Sequence, residues 1–94
     1  MIIPINPYAN QDLTVMLGGQ KCQITIKQKS TGVFIAVTVD NVLMIQGQIC
    51  IDRVPVLFND YREFIGTLQF EDTQYASDPI YTGFGSRWQL VYYA

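Results

Sequence analysis

The sequence contains no histidine. That removes the side chain most often used as a general base and as a metal ligand. A Ser-His-Asp or Cys-His arrangement cannot be built without it. Cysteine is scarce too, and Cys22 and Cys50 are too few for a structural zinc site. Nothing in the remaining residues calls for a cofactor. The opening MIIPINPYANQ has neither the basic region nor the apolar run of an export signal, so none is expected. Two reduced, buried thiols on strands are therefore expected in place of a disulfide. No window approaches the ~18 apolar residues a membrane helix requires.

Charge is also sparse. Charged residues make up 15% of the chain and the formal net charge is −2, against a usual charged share of about a quarter. Only Lys21, Lys27 and Lys29 cluster among the basic residues, which leaves no electrostatic footprint for nucleic acid. Lys27 and Lys29 fall on one strand face, as on a solvated surface or a protected edge. Few charges beside 13% aromatic residues leave two readings open: part of the surface is covered by a partner, or a small barrel needs large side chains to fill it.

What is present is strand pattern. The 94 residues suit one domain, residues 1–94, near the lower size limit for unaided folding. Residues 1–10 are cut by Pro4 and Pro7 and read as an extended arm or an edge strand. Gln11 to Leu17 alternates, Gly18-Gly19 supplies a tight hairpin turn, and Lys21 to Lys29 alternates back. Ser30-Thr31-Gly32 turns into Val33 to Val39, whose β-branched density marks a central strand. Asp40-Asn41 is a two-residue turn. It leads to Val42 to Ile51, with Gly47 as a bulge or bend and Val42-Leu43-Met44-Ile45 expected to be buried on both faces. Pro55 demotes Val54 to Phe58 to an edge strand or a crossing segment. Residues 59–63 hold the only expected helical turn. Phe64 to Phe70 is a strand in which Gly66 leaves room for a bulky neighbour, with Trp88 the candidate. Turn spacing of about eight to twelve residues, with no helical period, predicts an all-β, mostly antiparallel barrel or sandwich of six to eight short strands.

The chemistry gathers in Leu68 to Tyr93. Glu71 and Asp72 are adjacent on a strand, so they point to opposite faces and do not form an acid–base pair. No other carboxylate pair stands out, and an enzyme is not expected. Gly83-Phe84-Gly85 resembles a phosphate loop only superficially, because no helix follows to hold an anion. The two glycines read instead as backbone freedom before the last strand. Asp72 and Arg87 stand at the feet of the loop and are expected to close it as a charge-assisted pair. Asp78-Pro79 starts a turn within it. Tyr75, Tyr81, Phe84 and Tyr93 are the candidate partner surface, with packing under the loop as the other possibility. A loop of this length in so small a domain favours a binding role.

These pieces together resemble the small baseplate plug proteins encoded in tail gene clusters of contractile-tailed bacteriophages and prophages. The likeness is carried by LGGQKCQITIKQKSTGVF (Leu17 to Phe34), GQICIDRVPV (Gly47 to Val56), FIGTLQFEDTQ (Phe64 to Gln74) and DPIYTGFGSRWQLVYY (Asp78 to Tyr93). It departs from the family pattern at Tyr75 and Phe84. The resemblance implies a structural virion component near the baseplate hub and central spike, made in the bacterial cytoplasm, that closes or completes the tail-tube channel. It brings no catalytic residues. Assembly about a tail axis implies a homo-oligomer, most simply a trimer. Two other readings stay open: an OB-like module binding an oligosaccharide or other small ligand, and a minor cell-wall hydrolase.

Overall fold

Two tight turns set the register of the larger sheet. Gly18 and Gly19 take φ of 59° and 78°, and Asp40 and Asn41 take 48° and 67°. Left-handed backbone at both central positions matches the twist of the strands on either side. In the computed structural model, which describes residues 1–57, 66–74 and 77–93, these turns join β2 (Asn10–Leu17) to β3 (Gln20–Lys29) and β4 (Gly32–Val39) to β5 (Val42–Ile49). β1 is the short Ile2–Ile3, and β6 (Thr67–Asp72) and β7 (Trp88–Tyr93) complete the strands. The chain is all-β, with seven strands in two antiparallel sheets. One sheet runs β2-β3-β4-β5, the other β1-β7-β6. Both are open among the described residues, which makes a sandwich in place of a closed barrel.

The core is built from strand alternation. Cys22, Ile24 and Ile26 of β3 and Val33, Ile35, Val37 and Val39 of β4 are at most 1% exposed. Their neighbours on the outer face are polar or half-covered. Ile3, Leu68, Phe70, Leu90 and Tyr92 of the smaller sheet join the same cluster. Both cysteines are buried and free. Burial pushes the Cys22 thiol up to about 11 and the Cys50 thiol up to about 12, because a thiolate is poorly solvated inside an apolar core.

Two expectations need correction. Val42 and Leu43 are about half exposed, at 55% and 47%; β5 ends its sheet, and its ladder with β4 shifts register around Val37, so its apolar run is not sandwiched. Gly47, at φ 71°, lies in the same irregular strand. The neighbour of Gly66 is Tyr92, not Trp88: a Cβ there would lie 2.5 Å from the Tyr92 hydroxyl and from the Tyr93 carbonyl oxygen. The register decides this, since Leu68 opposes Tyr92 while Trp88 opposes Asp72 at the far end. The segment through Pro55 is a crossing piece that lies along β6, with hydrogen bonds from Arg53 to Phe70 and from Val56 to Leu68 and a bridge between Leu57 and Leu68. The turn expected at residues 59–63 lies outside the described residues, whereas a 3-10 turn at Tyr81–Gly83 has no counterpart in the sequence reading.

Candidate functional site

Asp72 ends β6 opposite Trp88, and its alternation places the side chain inward. The carboxylate is completely buried, and Arg87 meets it in a two-pronged pair: Nε donates to Oδ1 and Nη2 to Oδ2, both at 2.9 Å. The main-chain N–H of Gln74 donates to Oδ1 at 2.9 Å and that of Ser77 to Oδ2 at 3.0 Å. A buried carboxylate is tolerable only with this degree of satisfaction. With four donors from described residues on its two oxygens, the group is a fastener, not a poised base. The shared hydrogen bond with Asp72 holds the Arg87 guanidinium above its ordinary range.

Around this pair the loop is tied down strand by strand. The Thr73 N–H and hydroxyl both donate to the Arg87 carbonyl, at 2.8 and 2.7 Å. The Trp88 indole N–H donates to the Ser77 carbonyl at 3.0 Å, and the Arg87 guanidinium lies 4.4 Å above the Trp88 ring. Two residues that sequence reading left aside belong here. Asp52 accepts the Asp72 N–H at 2.6 Å, and Arg53 donates to the Asp72 carbonyl at 3.1 Å while pairing with Asp52. Their signal was an acid–base couple breaking an apolar run, but nothing in the sequence says that it reaches β6.

The loop glycines have different tasks. Gly83 has ordinary backbone and sits under Trp88, whose ring carbons would lie 2.4 Å from an added Cβ. Gly85 takes φ 82°, and a Cβ there would meet the Ile5 carbonyl oxygen at 2.8 Å. Among the described residues no group of side chains could hold a metal ion, and no helix is long and apolar enough to cross a membrane.

Over residues 1–94 the sequence matches a family described as cyanophage baseplate Pam3 plug gp18. The chain belongs to that family. Membership makes it a structural component of a phage baseplate and of the virion tail, and implies association with other baseplate proteins. No curated protein matches the chain.

The residues expected to face a baseplate partner divide. Phe84 is 3% exposed and its ring stacks on Phe70 with centroids 5.4 Å apart. It is core, because the turn at Tyr81–Gly83 folds it under the loop. Tyr81 is half-buried against the core, and its N–H donates to Gln28 Oε1 of β3 at 3.0 Å. Tyr93 is 48% exposed, with its hydroxyl on Glu71. Tyr75 lies outside the described residues. Large apolar side chains are instead open on β5 and just beyond: Val42, Leu43, Ile49, Ile51 and Val54.

Proposed function

We propose that this protein sits at the distal end of the tail tube beside the hub and central spike, and closes or completes the channel through protein–protein contacts. The full-length match to a baseplate plug family supports this reading most directly. The fold agrees with it: a loop fastened by buried hydrogen bonds, and apolar side chains left open along β5, where a partner surface would cover them. Copies associate with one another as well as with their neighbours in this reading.

Electron microscopy of intact tails tests it. Density for this chain on the tail axis at the distal end is expected, together with co-purification with the hub protein. Density away from the axis, or failure to co-assemble with the hub, would overturn the assignment. An OB-like module would need loop aromatics open to a ligand, and the burial of Phe84 speaks against it.

A further inference from the structure

Most edges of the two sheets are blunted in recognisable ways. β1 is two residues long and runs into Pro4. β6 is covered by the crossing segment, where Arg53 N–H donates to the Phe70 carbonyl and Val56 N–H to that of Leu68. β5 carries the register shifts opposite Val37 and the left-handed Gly47. β2 has none of these devices. Its eight residues keep unbroken register with β3, contain no Pro, Gly or Lys, and pair with no other strand among the described residues. Natural proteins rarely leave such an edge free.

The direction of its hydrogen bonds follows from the turn. In a two-residue hairpin the flanking residues, Leu17 and Gln20, form a bonded pair, and bonding alternates from there. Consistent with this, Gln28 N–H donates to the Ala9 carbonyl, while Lys21 turns its N–H and carbonyl away from β2, toward Asp40. Asn10, Asp12, Thr14 and Met16 therefore aim their main-chain groups outward from the sheet. Beside that open ladder Leu13 and Val15, on the core-facing side, are only half-buried.

We propose that β2 pairs antiparallel with β2 of a second copy across a two-fold axis at Thr14, making one continuous eight-stranded sheet. In this register Thr14 meets its own counterpart, Asp12 meets Met16, and Leu13 meets Val15. The outward-aimed residues bond to one another, and the half-buried apolar residues cover one another. Asp12, the sole charge on β2, faces no other acid. It comes within one strand of the second copy's Lys21, which lies beside Met16, so the two charge pairs across the axis are complementary. A slip by one residue would set inner against outer side chains. The pairing involves copies of this chain alone, and its test is independent of where the protein sits in the baseplate.

A Thr14→Cys variant reports the axis directly. A hydrogen-bonded antiparallel pair holds its Cα atoms about 5.5 Å apart, inside disulfide reach, and the native thiols are buried. Mild oxidation of the purified protein is expected to give a covalent dimer from Thr14→Cys and none from Asp12→Cys, whose counterpart lies roughly 13 Å along the strand. Sedimentation should show a dimer that Thr14→Pro weakens by about tenfold or more, since proline there removes an outward N–H and spares the bonds to β3. A monomer at high concentration, a trimeric mass, cross-linking at Asp12 but not Thr14, or an unchanged dimer in Thr14→Pro would each overturn the proposal.

Discussion

Replacing Asp72 by Ala strips the acceptor from the N–H groups of Gln74 and Ser77 and leaves the Arg87 guanidinium without its partner. These amides are only partly buried, so each costs less than a fully buried orphan, which costs about 1–3 kcal/mol. Together with the unpaired Arg87, the loss expected in urea unfolding is about 2 kcal/mol or more. Arg87→Ala should also destabilise, because it leaves a buried carboxylate without its counter-ion. The double variant should lose clearly less than the sum of the two. Strict additivity in that cycle would show that the pair does not act as a unit. The pairing could be anticipated from sequence because Asp72 and Arg87 stand at the feet of one loop. The contributions of Asp52 and Arg53 could not, because a separation of 20 residues between Asp52 and Asp72 is bridged only after the crossing segment has docked on β6.

Between elements, the closest fit is that of the Tyr81–Gly83 turn beneath the first residue of β7. Gly83→Ala would drive a methyl group into the Trp88 ring, and the indole cannot swing away without losing its bond to Ser77. A loss of about 1–3 kcal/mol is expected, as for other overpacked sites. A melting temperature unchanged from wild type would mean that the ring moves freely. The same contrast explains which elements were legible in advance. β2, β3 and β4 alternate strictly, and their turns carry residues that tolerate left-handed backbone, so their hairpins follow from local chemistry. Pairing of β1 with β7, the Tyr92 contact at Gly66 and the exposure of β5 depend on long-range register and on which strand ends a sheet. Local pattern does not encode either. Phe84 misleads for a related reason: an aromatic between two glycines looks exposed until the 3-10 turn folds it onto Phe70.

The molecule as a whole should lose stability in alkali. Cys22 and Cys50 are held above their ordinary value of 9.0, at about 11 and about 12, and burial also raises Tyr92. The folded chain thus keeps protons that the unfolded chain has already released. Stability from these groups is fully present below pH 9.0 and declines as pH rises through about 11 and about 12. Each coupled thiol contributes up to about 1.4 kcal/mol per pH unit. Urea midpoints measured across this range should fall steadily. A flat profile would contradict the burial of the thiols. A different property comes from the placing of the single tryptophan. Trp88 is 5% exposed, bonded to Ser77 and capped by Arg87, so its fluorescence comes from one well-defined, water-poor environment at the base of the loop. The protein thus carries its own optical gauge of whether that loop is seated, and assembly on any tryptophan-free partner can be followed without adding a label.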